Sequence, residues 1–191
     1  DQNGIDGYLL WAFDQRTSPS MNAVPGWMQR LSDAYPTDRA LRVAPLLHHI
    51  ILQPGQAISL PAGNLHAYLH GAGIEVMASS DNVVRAGFTS KHVDVTELLR
   101  IVDTSPLEHP VSPTTMNNHW TEYVSPSQAF SVASTNWENL HTVEASDTHR
   151  FFFGPLGDDA RPDMTWLPAG ESHNFKTVPG THNVAWMFTQ N

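Results

Sequence analysis

Eleven histidines and no cysteine in 191 residues mean that any transition-metal site here rests on imidazole and carboxylate donors, not thiolates. The competing account is that histidine serves as a polar surface residue. Two histidines recur in one setting. Leu60-Pro61-Ala62-Gly63-Asn64-Leu65-His66-Ala67-Tyr68 is matched by Leu167-Pro168-Ala169-Gly170-Glu171-Ser172-His173-Asn174-Phe175. The shared pattern is Leu-Pro-Ala-Gly-x-x-His-x-aromatic. Proline sets φ, glycine supplies the conformation a tight turn needs, and the histidine starts the next strand. A histidine opening a strand behind such a turn projects toward a barrel mouth, where ligands converge. One imidazole alone cannot hold zinc, which needs three or four ligands. Glu75 alternates with Ile74 and Val76, as the solvated face of a strand does. Cations are scarce: the net charge is −9 and the only lysines are Lys91 and Lys176. That balance repels nucleic acid and anionic membrane, so a phosphorylated small ligand would depend on a few local cations. Arg85 is one, or else a structural ion-pair partner.

The secondary structure around these residues can be read from pattern. Pro25 suits a first helical turn, with Trp27, Met28, Leu31 and Tyr35 at helical spacing. Asp38 caps a second helix with Leu41, Val43, Leu46 and Leu47 on its apolar side, which Pro45 ends or kinks. After His49 the period changes. Ile50–Leu52, Ala57–Leu60, Tyr68-Leu69 and Ile74–Ala78 are short runs separated by turn signals at Pro54-Gly55, Pro61–Gly63 and Gly71–Gly73, the pattern of an antiparallel all-β unit. Asp94 with Glu97 three residues on caps one short helix over 94–102. Three prolines and two asparagines make 104–119 a connecting loop. From 122 the β signals return: Phe130 and Val132, Leu140–Val143, Arg150–Phe153, Met164–Leu167 and Asn183–Phe188. Phe151, Phe152, Phe153, Trp166, Trp186 and Phe188 are expected in core and sheet packing, and His109, His119, His141, His149 and His182 in solvent. The apolar run Tyr8–Phe13 has no clear element.

Gly55, five residues, Pro61-x-Gly63, two residues and His66 resemble the second motif of cupin barrels. The first motif, His-x-His followed by Glu, is absent; His48-His49 and His141-x-x-Glu144 have the wrong spacing. The stretch beyond is more specific. His66-Ala67-Tyr68-Leu69, Ile74-Glu75-Val76-Met77-Ala78-Ser79-Ser80-Asp81-Asn82-Val83-Val84-Arg85-Ala86-Gly87, then Thr89-x-Lys91 with Asp94-Val95 closely resemble the signature of type I phosphomannose isomerases. The resemblance is close over 50–103 and looser in the preceding helices and the last β region.

The resemblance implies a mainly β fold of cupin (jelly-roll) barrels with a short helical N-terminal segment. It implies zinc as cofactor, His66 as a metal ligand, Tyr68 and Lys91 at the substrate, and Glu75 and Arg85 as catalytic residues. The reaction would be aldose–ketose isomerisation of mannose 6-phosphate and fructose 6-phosphate through a cis-enediol. A metal polarises the sugar oxygens in such chemistry, a carboxylate shuttles the proton, and a guanidinium holds enediolate or phosphate oxygens. The expected organisation is a helical remnant over 1–45, a catalytic cupin half with one short helix over 46–103, a linker over 104–119 and a second cupin-like β domain over 120–191. The family's Gln-x-His and Glu ligands have no counterpart in 1–49, so the chain is expected to be part of an enzyme, inactive alone, whose missing partner is the N-terminal part. His173 lacks the upstream glycine, since Pro162 stands there, and is expected to be a structural relic of duplication. The absence of cysteine fits a reducing compartment, the cytoplasm. The alternative is a non-catalytic cupin module binding a sugar or a partner; a cupin oxygenase is disfavoured without His-x-His.

Overall fold

The computed structural model describes residues 25–79, 82–156, 162–175 and 184–190. Tyr8–Phe13, Ser80, Asp81, Lys176 and His182 lie outside the described residues. The protein is mainly β, with antiparallel sheets and few helices. It divides into two compact units, Asp1–Ile51 with Pro61–Pro106, and Leu52–Leu60 with Leu107–Asn191.

In the first unit, helix α1 spans Gly26–Ala34, with Pro25 at its N-cap. Its Met28 joins Leu41 and Ala44 in a small core against Trp27, Leu31 and Phe88. The expected second helix is instead two 3-10 turns, Arg39–Arg42 and Ala44–Leu46. Asp38 caps the first, its carboxylate accepting the Ala40 N–H at 2.8 Å. Proline in the second removes a donor and tightens the coil. The expected apolar side is therefore not buried as a face: Leu41 is buried, while Val43, Leu46 and Leu47 are exposed. Helix α2 spans Val95–Ile101, and the Asp94 carboxylate accepts the Glu97 N–H at 3.0 Å, as the sequence predicts.

The strands expected across 50–78 form no ladder among the described residues. Only isolated bridges occur there, Ile58 with Val111 in the second unit and Asn64 with Asp103 in the first. The physical reason is a lack of packing: Ile74 and Met77 are exposed, so nothing rewards fixing the segment as sheet.

The second unit carries the sheets. Its strands are β1 (Thr114–Asn117), β2 (Trp120–Tyr123), β3 (Phe130–Asn136), β4 (Thr142–Val143), β5 (Arg150–Leu156), β6 (Pro162–Leu167), β7 (His173–Asn174) and β8 (Val184–Gln190). One sheet runs β1-β2-β3-β8-β5-β6 and the other β4-β7, all antiparallel. β1 falls inside the stretch expected as a loop. It pairs with β2 across Asn118, an asparagine in the left-handed region (φ 54°) that this residue type tolerates. Trp137, Leu140, Val143, Phe152, Leu167, Phe175 and Ala185 form the core, with Trp120 and Met187 against it. Of the aromatics expected inside, Phe152 alone is fully buried; Phe151 and Phe153 alternate to the other face and Trp166 is 56% exposed. Among the histidines expected in solvent, His149 is exposed yet occupied: its ring stacks on Trp166 and its Nδ1 accepts the Ala169 N–H at 3.1 Å.

Candidate metal and sugar site

The first Pro-Ala-Gly turn places His66. Gly63 has φ +82°, and the Asn64 N–H reaches the Pro61 carbonyl at 3.2 Å, the geometry of a type II turn with glycine third. The turn is fixed from the far end of α2: the Asp103 N–H donates to the Gly63 carbonyl at 2.9 Å. A side chain at Gly63 would lie 2.7 Å from the Ile101 carbonyl oxygen.

His66 is exposed, with Nδ1 3.1 Å from the Asn64 carbonyl. A carbonyl only accepts, so this bond needs the proton on Nδ1. Nε2 then keeps its lone pair, the form in which imidazole binds metal. The His66 ring meets Tyr68 edge-on at 6.0 Å. Tyr68 in turn stands close enough to Glu75 for the carboxylate to act on its phenol. Partial desolvation first, then the neighbouring Glu75 carboxylate, push the phenol above its usual range, so at neutral pH it remains a donor. His66, Tyr68 and Glu75 thus form one string.

Arg85 and Lys91 stand apart from that string in their contacts. Arg85 is half-buried and, among the described residues, makes no ion pair. Lys91 is exposed, and its backbone N–H donates to Thr89 Oγ1 at 3.1 Å. Both sit on a loop fastened at Phe88, whose N–H donates to the Asp38 carboxylate at 2.7 Å. Asp38 was legible in the sequence only as a helix cap; its reach to a residue so distant in the chain had no local signal. Among the described residues no group of three His, Asp or Glu is arranged to hold a metal ion. They fit one ligand's share of a zinc centre, that of His66, and no more.

In the second copy, Gly170 has φ +83° and the Glu171 N–H reaches the Pro168 carbonyl at 3.2 Å. His173 lies in β7 opposite Val143, and its ring sits edge-on to Phe175 at 4.5 Å. No helix among the described residues is long and apolar enough to cross a membrane.

No family model matches the chain. It is 33% identical over 153 residues to mannose-6-phosphate isomerase 1 of Arabidopsis thaliana, covering 79% of this chain and 28% of that protein. It is 47% identical over 76 residues to the mannose-6-phosphate isomerase of Salmonella typhimurium, 40% of this chain and 19% of that one. With the Candida glabrata mannose-6-phosphate isomerase it shares 42% over 102 residues, 53% of this chain and 24% of that one. Among solved structures, a mutant of Salmonella typhimurium phosphomannose isomerase superposes with a TM-score of 0.58 at 26% identity, over 86% of this chain and 45% of that one. The same enzyme bound to substrate, f6p, and zinc superposes with a TM-score of 0.56 at 24% identity, a likeness of fold. The matches therefore span less than a third of each curated relative and under half of the solved chain. The homology to mannose-6-phosphate isomerases is partial, and the structural likeness implies a cupin fold.

Proposed function

We propose that this chain is the C-terminal, cupin-bearing portion of a zinc-dependent mannose-6-phosphate isomerase acting in the cytoplasm. Its substrates would be mannose 6-phosphate and fructose 6-phosphate. The observation that carries the reading is the string His66–Tyr68–Glu75, in which the imidazole meets the Asn64 carbonyl through Nδ1, the tautomer that keeps a lone pair on Nε2. The partial homology supports the same reading.

Isomerisation moves a proton between C2 and C1 through an enediol. In this reading the Glu75 carboxylate takes that proton from one carbon and returns it to the other. The Tyr68 hydroxyl, next to Glu75, would donate to the carboxylate and orient it. Arg85, free of any ion pair among the described residues, takes enediolate or phosphate oxygen, with Lys91 as a second cation. His66 would give one nitrogen to zinc, and the remaining ligands and part of the phosphate site would come from the N-terminal part of the same enzyme.

The experiment is an isomerase assay with added zinc, on this chain and on the longer polypeptide proposed to contain it. No native-like turnover is expected from the chain and full turnover from the longer polypeptide. Turnover by the chain alone would refute the division of the site; none from the longer polypeptide would refute the reaction. A non-catalytic cupin module binding a sugar or a partner remains the alternative, favoured by the absence of a three-ligand group among the described residues. The upstream reading frame discriminates: a Gln-x-His with a metal-binding Glu supports the enzyme.

A further inference from the structure

We infer that Asp38 is a positioning residue for Arg85, acting through the loop that carries it; this rests on the function proposed above. The Asp38 carboxylate does two jobs. One oxygen accepts the Ala40 N–H at 2.8 Å and closes the 3-10 turn; the other accepts the Phe88 N–H at 2.7 Å, fifty residues on. Both acceptors are engaged by backbone, so Asp38 holds the loop without neutralising Arg85, which makes no ion pair among the described residues.

The loop requires holding. Phe88 has φ 52°, a left-handed conformation that disfavours a residue with a Cβ and persists only where the surroundings impose it. Its ring is fastened too, packing against Tyr35 at 5.6 Å and beside the Met28, Leu41 and Ala44 core. At the preceding residue the backbone presses onto the Asp38 turn: a Cβ on Gly87 would collide with the Ala40 Cβ and lie 3.0 Å from Asp38 Oδ1. Arg85 is two residues before this contact, and Lys91 is three after Phe88. The charged hydrogen bond at Phe88 is thus the midpoint fastening of the segment bearing both cations, and Asp38 sets where the guanidinium stands.

The test is a kinetic double-mutant cycle in the longer isomerase. Asp38→Asn keeps an oxygen for Ala40 but turns an NH2 toward the Phe88 N–H, so the cap survives and the tie does not. Arg85→Ala is expected to lower kcat/KM by about a hundredfold or more. Asp38→Asn is expected to lower it by roughly tenfold through misplacement, with faster hydrogen exchange at the Phe88 amide, and to cost nothing further once Arg85 is alanine. Gly87→Ala, whose Cβ would press on Ala40 and on the Asp38 carboxylate, displaces the loop while leaving both carboxylate oxygens in the chain; it should show the same loss of effect in the Arg85→Ala background and stands in if Asp38→Asn does not fold. Equal losses in both Arg85 backgrounds would overturn the positioning role while leaving the reaction intact. An unchanged kcat/KM for Arg85→Ala would instead refute the proposed function, and this inference with it.

Discussion

At Gly63 and at Gly170 the chain makes one turn twice, with φ of +82° and +83° and the same closure onto a proline carbonyl at 3.2 Å. Two residues beyond the histidine the copies part. Tyr68 is 72% exposed and beside a carboxylate, whereas Phe175 is 8% exposed and packs on Phe152 at 5.0 Å and Trp137 at 5.5 Å. His66 faces solvent with one ring nitrogen engaged; His173 is half-buried in a strand. The Pro-Ala-Gly motif therefore specifies a bend and nothing chemical. The copies differ in the residues beyond the bend: a polar string in one, a hydrophobic core in the other.

Exchanging large for small at the aromatic position should separate the copies most. Phe175→Ala removes a ring from a closed core and should cost about 3–5 kcal/mol. Tyr68→Ala should change stability by no more than about 0.5 kcal/mol. Chemical denaturation of each variant reads both, and equal losses would erase the distinction between the copies. The turn glycines come next. Alanine in the left-handed region costs about 1–2 kcal/mol at either site. Gly170→Ala meets open space and should stop there, while Gly63→Ala also meets the Ile101 carbonyl and should lose more.

Acid gives the smallest effect, at α2 of the first unit. Hydrogen bonds from Arg100, at 2.7 Å from Nε and 2.6 Å from Nη2, hold the Glu97 carboxyl below its usual range. A carboxyl with a depressed folded pKa contributes stability that is present above its unfolded pKa and lost as pH falls through the folded one. Helical ellipticity from α2 should therefore decline slightly as pH drops below about 4. Glu97→Gln should flatten that decline, and so should salt, because the pair is exposed.

Local signals account for the features that are legible in the sequence. Pro54-Gly55 and both Pro-Ala-Gly turns, the Asp94 cap, and β3, β5, β6 and β8 arise from residue types within a few positions. Non-local facts escape it. The apolar alternation at 74–78 reads as strand, yet whether strand forms depends on a packing neighbour that pattern cannot supply. Phe151–Phe153 reads as core, but a strand's period of two buries only Phe152. In the candidate site, the closeness of His66, Tyr68 and Glu75 is legible because the segment is short; the Asp38–Phe88 bond that fastens the Arg85 loop is not, because its ends share no pattern.

The contrast between the two histidines is open to long-range nitrogen–proton NMR of the imidazoles, with and without zinc. His66 should carry its proton on Nδ1, and zinc should shift its Nε2 while leaving His173 unmoved. A proton on Nε2 of His66, or zinc acting on His173 and not on His66, would contradict the assignment of chemistry to the first copy.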